Sequence, residues 1–201
     1  MLLYNSRVSG NCYKVRLLLA HLGLPYDVHE LDVVDRSNRP EVLGNLNPAL
    51  RVPTIVLDDD RPLAESNAIL MYFAEGTRFL PEDRYERAQV LQWLFFEQYS
   101  HEPFLAVVRF WVAYARNPPP AAEIEARRAD GYKTLDALEK HLNTRRYLVA
   151  DGFTIADIAL YAYTHVAHEG GFDLSAHPAI RRWLECVAAE DGHVPLDQPH
   201  G

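Results

Sequence analysis

The sequence predicts an α/β domain followed by an all-α domain, and three observations carry that division. From Met1 to Gly76, short strand-like runs alternate with apolar stripes of helical period. After Gly76 no segment keeps the two-residue alternation of a half-buried strand, and apolar residues three and four apart take over. Between the two regimes lies Arg51–Ser66, where a β-branched run, an acidic turn (Asp58-Asp59-Asp60) and a second short run lead into Glu65-Ser66. That stretch reads as a β-hairpin feeding a helix N-terminus.

Taken in order, Leu2–Tyr4 is a short first strand and Asn5–Asn11 a loop. Val15, Leu18, Leu19 and Leu22 then form one helical stripe, with Gly23 placed for a left-handed C-cap and Pro25 forbidding continuation. Tyr26–Val33 alternates as a second strand, and Pro40 opens a short helix that reaches Leu46. The hairpin follows, and its closing helix carries Ala68, Ile69, Tyr72 and Phe73 on one face. Strand, helix, strand, helix, hairpin, helix is the order of a thioredoxin-like domain, expected over 1–77. Residues 78–86 are read as a linker and 87–201 as the helical domain. A long aromatic-rich helix is expected from Arg84 to Arg116, bent at Pro103. A charged helix follows from Ala121 to about Leu142, then one marked by Ile155, Ile158, Ala159 and Ala162, and a last one starting near Pro178. The tail from Asp191 has no periodicity and is expected to be loose.

Bulk properties exclude several roles. A net charge of −8, with no basic run, argues against a general nucleic-acid binder. No apolar run is long enough to cross a bilayer. Met1-Leu-Leu-Tyr-Asn enters a strand pattern directly and does not read as a signal peptide. Two cysteines, Cys12 and Cys186, cannot build a disulfide framework, so a reducing cytoplasm is the simplest setting. His101 and Glu102 are adjacent and lack a partner four residues on, so no metal site is expected.

The hairpin carries the first hint of a ligand. Pro53 cannot donate to a sheet ladder and must stand at the strand's start. A cis Val52–Pro53 bond would turn the Val52 N–H and C=O toward an extended peptide. At the other end, Ser66 heads a helix whose first N–H groups suit a carboxylate. The combination points to a small acidic peptide.

Four motifs then resemble the cytosolic glutathione S-transferase family over nearly the whole chain. Asn47-Pro48 with Val52-Pro53 is similar to the family's turn before the third strand, and Glu65-Ser66 to the pair that holds the γ-glutamyl group. Thr154-Ile-Ala-Asp157 resembles the capping box of a core helix in the second domain. Ser9-Gly-Asn-Cys-Tyr-Lys-Val resembles the first-helix motif of bacterial serine-type enzymes close to the theta and zeta classes. Arg51 departs from the family, which usually has glutamine or lysine there.

The resemblance implies a transferase that activates the thiol of glutathione for attack on a hydrophobic electrophile. A free thiol near pKa ~8.5 is mostly protonated at neutral pH, so a helix N-terminus and a hydrogen-bond donor must lower it. Ser9 is the family's catalytic position, and the residue matching Asn11 takes part in some relatives. The plain alternative is that either one merely caps the first helix. Cys12 stands where a Cys-x-x-Cys motif would have its second cysteine, with Ser9 replacing the first, so it is either a mixed-disulfide former or a packed small residue. Val52 and Pro53 are implied for the cysteinyl backbone, Glu65 and Ser66 for the γ-glutamyl amine and carboxylate, and Arg39 or Arg51 for the glycine carboxylate. Phe104, Val108 and Trp111 on the long helix are the implied electrophile pocket. A two-fold homodimer is also implied, with Phe79, Tyr85 or Trp93 as its aromatic key. Two other readings stay open: a glutathione-dependent thioltransferase, peroxidase or isomerase, and a non-catalytic binding protein of the same fold.

Overall fold

A computed structural model describes residues 1–150 and 152–198. The chain divides into two compact units, Met1–Glu75 with Asp191–Gly201, and Gly76–Glu190. Two features of this division differ from the sequence reading. Phe79 and Leu80, within the expected linker, are each 2% exposed and belong to the second unit. The tail from Asp191, read as a loose end of the helical domain, belongs to the first.

The first unit is built on a four-stranded sheet in the order β2-β1-β3-β4. Strand β1 (Leu2–Asn5) pairs in parallel with β2 (Asp27–Glu30) and antiparallel with β3 (Thr54–Val56), which forms the hairpin with β4 (Pro62–Ala64). Helix α1 (Gly10–Leu22) is the crossover between the parallel pair. It ends at Gly23, whose φ of 63° is a conformation glycine adopts without penalty. Leu3 stands opposite Val28 on one side and Ile55 on the other. With Val15, Leu19 and Ile69 from the helices, Leu3 and Ile55 make the core of the unit. Helix α2 (Arg39–Leu43) is shorter than expected, and α3 (Ser66–Ala74) closes the unit. This parallel pair plus antiparallel hairpin is the thioredoxin-like arrangement.

The second unit is helical: α4 (Arg84–Phe96), α5 (Glu102–Ala113), α6 (Ala121–Leu142), α7 (Ile155–Thr164) and α8 (Pro178–Ala188), with a 3₁₀ turn at Ala167–Gly170. The long helix expected from Arg84 is interrupted ahead of Pro103 by a π-helical turn, Glu97–His101. Proline has no N–H to bond back to residue 99, and the wider turn absorbs that irregularity upstream of it. Trp183 on α8 is the largest fully buried side chain and meets the Tyr161 ring of α7 edge-on. Gly131 lets α6 pass close to Phe172, since a Cβ there would lie 2.7 Å from the ring.

Helix α7 starts on the expected capping box. The Thr154 hydroxyl accepts from the Ala156 N–H at 3.3 Å, and Asp157 Oδ2 accepts from the Thr154 N–H at 3.0 Å. Asp157 Oδ1 does more than the motif requires. It accepts from the Leu148 N–H and from Trp183 Nε1, each at 2.9 Å, which ties the preceding loop and α8 to the same carboxylate.

Candidate functional site

The first unit gathers its polar chemistry at the N-termini of two helices. Ser9 is the N-cap of α1, with φ −77° and ψ 121°, and its Oγ accepts from the Cys12 N–H at 3.3 Å. Its own N–H closes a turn onto Ser6 O at 2.9 Å. A serine oxygen that accepts a capping bond still has its hydroxyl proton to give. The two sequence readings of Ser9, cap and donor, are therefore compatible in one side chain. Cys12 is fully buried, and its Sγ accepts from the Ser6 N–H at 3.3 Å. Burial pushes its thiol up to about 11, against the pull of hydrogen bonds from Ser9 and Ser6. At neutral pH it is a protonated thiol within the first turn of the helix.

The second N-terminus belongs to α3. Its cap residue, Glu65, is exposed and has φ 67° and ψ 112°, a left-handed value that a residue with a side chain holds only under constraint. Ser66 is 5% exposed, and its Oγ donates to Asn11 Oδ1 at 3.4 Å. Lys14 Nζ donates to Ser66 Oγ at 3.3 Å and lies 3.5 Å from Asn67 Oδ1. Lys14 itself is fully buried. Two helix N-termini and a buried ammonium thus converge through Asn11, Lys14 and Ser66. Helix dipoles and a buried lysine both favour a carboxylate there.

Asn47 organises the turn before β3. Its Nδ2 donates to Arg51 O and Thr54 Oγ1, both at 3.0 Å, while its Oδ1 accepts from the Ala49 N–H at 3.0 Å. Thr54 Oγ1 also donates to Arg51 O at 2.9 Å. The Val52–Pro53 bond is cis. The sheet ladder begins at Thr54, so it does not use the Val52 N–H and C=O. The two candidate arginines differ in kind. Arg39 is 4% exposed, and its guanidinium donates to Leu50 O at 3.2 Å and Asp32 O at 3.0 Å, clasping two loops together. Arg51 is exposed, with its carbonyl held and its side chain turned to solvent.

In the second unit, Phe104 and Trp111 are half-buried on α5, and Arg127 stands over the Trp111 ring at 4.9 Å. Val108, the third residue of the expected pocket, is fully buried among the core residues. Phe79 and Trp93, two of the three aromatic keys considered, are also interior, against Phe153 and His141 respectively. Tyr85 is 71% exposed. Among the described residues, no group of three or more His, Cys, Asp or Glu is placed to hold a metal ion, and no helix is long and apolar enough to cross a membrane.

Sequence reasoning missed Lys14 as a member of the site, and treated Asn47 only as part of a motif. The available signal was spacing. Lys14 follows Asn11 by three residues, which puts both on one face of α1.

The sequence and fold have clear relatives. Residues 8–75 match the family model "Glutathione S-transferase, N-terminal domain" and residues 89–191 match "Glutathione S-transferase, C-terminal domain". The disulfide-bond oxidoreductase YfcG of Escherichia coli K12 is 32% identical over 185 residues, covering 88% of this chain and 85% of that protein. A crystal structure of a glutathione S-transferase from Pseudomonas fluorescens Pf-5 superposes with a TM-score of 0.92 at 47% identity, covering 97% of this chain and 98% of that one. Ure2p solved in complex with glutathione, 23% identical, shares the fold alone, with a TM-score of 0.83 over 95% of this chain and 90% of that one. The chain belongs to the glutathione S-transferase family, with both the N-terminal and the C-terminal domain of that family present.

Proposed function

We propose that this chain is a serine-type glutathione transferase that holds glutathione on its first unit and activates the thiol for attack on a hydrophobic electrophile. The observation that carries the reading is Ser9 at the head of α1. Its Oγ is pinned by the Cys12 N–H, and its proton, which can bond the Cys12 sulfur, turns to a bound glutathione thiolate. The helix N-terminus adds positive potential at the same place. The γ-glutamyl carboxylate belongs at the head of α3, on the Ser66 N–H and hydroxyl with Lys14 beneath, and its ammonium belongs beside the exposed Glu65. The Val52 main chain pairs with the cysteinyl backbone, with Pro53 fixing the turn. Arg51, exposed at the mouth of that turn, is the better partner for the glycine carboxylate, because Arg39 is committed to two carbonyls. Phe104 and Trp111 are offered to the electrophile. A homodimer is part of the reading, since Leu91, Phe95 and Tyr99 recur every four residues and are 36%, 71% and 85% exposed. Tyr85 is the remaining aromatic key. The cytoplasm, where both free cysteines stay reduced, is the proposed setting.

Ser9→Ala tests this directly. With a halonitroarene as electrophile, kcat should fall roughly a hundredfold while glutathione affinity stays close to that of the parent. A full-rate Ser9→Ala enzyme beside an inactive Asn11→Ala would move the role to Asn11.

A second reading, glutathione-dependent disulfide reduction, is favoured by the likeness to YfcG and by Asn11 lying against Ser66. The two separate on substrate. Turnover of a mixed disulfide without conjugation of the halonitroarene would select reduction. Failure to bind glutathione at all would leave a binding protein of this fold.

A further inference from the structure

The tail from Asp191 is held to α1 and the loop before it by a set of bonds that the thiol chemistry above does not use. Tyr13 Oη donates to Val194 O at 2.7 Å, and His21 Nδ1 lies 2.8 Å from Asp191 O. Arg16 is 2% exposed, and its Nη2 donates both to Leu196 O at 2.9 Å and to Arg7 O at 3.1 Å. Arg7 reciprocates, its Nη2 donating to Asp197 O at 2.6 Å. One buried guanidinium therefore clamps the tail to the backbone of Arg7. That residue lies inside the Ser6–Ser9 turn, which closes at 2.9 Å, and stands two positions before Ser9.

We propose that the segment 191–198 is a strap that fixes the aim of the Ser9 hydroxyl, with Arg16 as the positioning residue between them. The inference rests on the reading of Ser9 as the thiol's donor. Its physical basis is that a hydrogen bond to a developing charge loses most of its value when the donor is misdirected by a fraction of an ångström. Bonds from a guanidinium to carbonyls are roughly twice as strong as neutral ones, so a buried arginine is a stiff link. A buried guanidinium also cannot shed its carbonyl partners without leaving a desolvated charge, so tail and loop are held as one piece. The strap's bonds run to Arg7, Tyr13, Arg16 and His21, whereas the proposed carboxylate site is built on Ser66 at the head of α3. Removing it should thus change what happens to the thiol and not how tightly glutathione is held.

The test compares the full chain with a chain ending at Glu190 and with Arg7→Ala. Arg7 is exposed, and its side chain joins the strap through a single tail carbonyl. Three readouts are taken: glutathione affinity by calorimetry, the apparent pKa of the bound thiol by ultraviolet thiolate absorbance, and kcat with a halonitroarene. Truncation should raise the bound-thiol pKa by about one unit, equivalent to a tenfold weaker preference for the thiolate, and lower kcat by about the same factor. Affinity should stay within about twofold, because the carboxylate-binding elements are untouched. Arg7→Ala should move the thiol pKa in the same direction by less. In a Ser9→Ala background, truncation should have no further effect, since the strap acts only through that hydroxyl. An unchanged thiol pKa in both variants, or losses that add fully to those of Ser9→Ala, would overturn the strap. Should Ser9→Ala alone leave the bound-thiol pKa unchanged, the donor assignment itself falls, and the strap with it. A slow Ser9→Ala enzyme beside silent tail variants removes the strap alone.

Discussion

Asp157→Ala is the substitution whose cost can be worked furthest from the structure. The carboxylate is fully buried and takes four donors: the Leu148 N–H, Trp183 Nε1, and the Thr154 N–H and hydroxyl. Losing the capping bond alone costs about 1 kcal/mol. The Leu148 N–H and Trp183 Nε1 are then buried donors facing a methyl group, at about 1–3 kcal/mol each. Together these amount to about 3–7 kcal/mol, a large part of the roughly 5–15 kcal/mol that a folded chain has to lose. For a chain of this length that corresponds to a fall in Tm of about 10–20 °C. Thermal unfolding followed by circular dichroism and by tryptophan emission, to which Trp183 contributes, measures it. A Tm within about 2 °C of the parent would show that the four bonds carry no such energy.

The same carboxylate sets a pH dependence. Burial raises Asp157 from 3.8 to about 6, with the four hydrogen bonds pulling the other way. A raised carboxyl binds its proton more tightly in the fold than in the unfolded chain. Its contribution to stability is therefore complete below about pH 4 and is lost as pH rises to about 6, amounting to about 3 kcal/mol in all. Other groups tilt the full curve, so the comparison is with Asp157→Asn. That variant should lack this step between pH 4 and 6, and parallel curves would remove it.

The remaining expectations concern glutathione. Lys14→Met should weaken binding by about tenfold, and less in a Ser66→Ala background, because both act on one carboxylate; calorimetry on the four proteins of the cycle checks the coupling, and additive losses would separate the two residues. Cys12→Ala should leave both conjugation and mixed-disulfide turnover near the parent rate, and a large loss of disulfide turnover alone would assign Cys12 the redox step.

How much of this was legible in the sequence depended on the range of each interaction. The capping box was readable because Thr154 and Asp157 are three residues apart and bond locally. The bonds from Leu148 and Trp183 to the same carboxylate were not, since nothing in a periodic pattern says which distant N–H a buried acid will collect. Helix α1 shows the limit clearly. Its stripe of Val15, Leu18, Leu19 and Leu22 predicted one buried face, yet Lys14 and Arg16, on either side of Val15, are buried too. Their acceptors lie 52 and 180 residues away, on Ser66 and Leu196. The tail failed for a related reason. It is held by its carbonyl oxygens, which every residue has, so no side-chain pattern could mark it. Pro103 announced the break in the long helix, but the departure falls at Glu97–His101, because the turn before a proline absorbs the missing bond.

The site constrains the chemistry more tightly than the choice between conjugation and disulfide reduction implies. With its thiol pushed up to about 11 by burial, Cys12 stays protonated at neutral pH. It is also fully buried, so no bulky disulfide reaches it without opening the first turn of α1. Reduction of a disulfide would then have to be run by glutathione's own sulfur. The bound thiolate attacks, its sulfur joins the substrate's, and the departing thiolate takes up a proton. A second glutathione resolves the mixed disulfide, releasing oxidised glutathione and the other substrate thiol. Conjugation starts from that same bound thiolate. Both reactions therefore need what the proposed function assigns to the head of α1, a hydrogen bond to sulfur from the Ser9 hydroxyl, whose oxygen accepts from the Cys12 N–H. On the proposed reading, what decides between them is the partner that reaches that sulfur, not the residues that activate it.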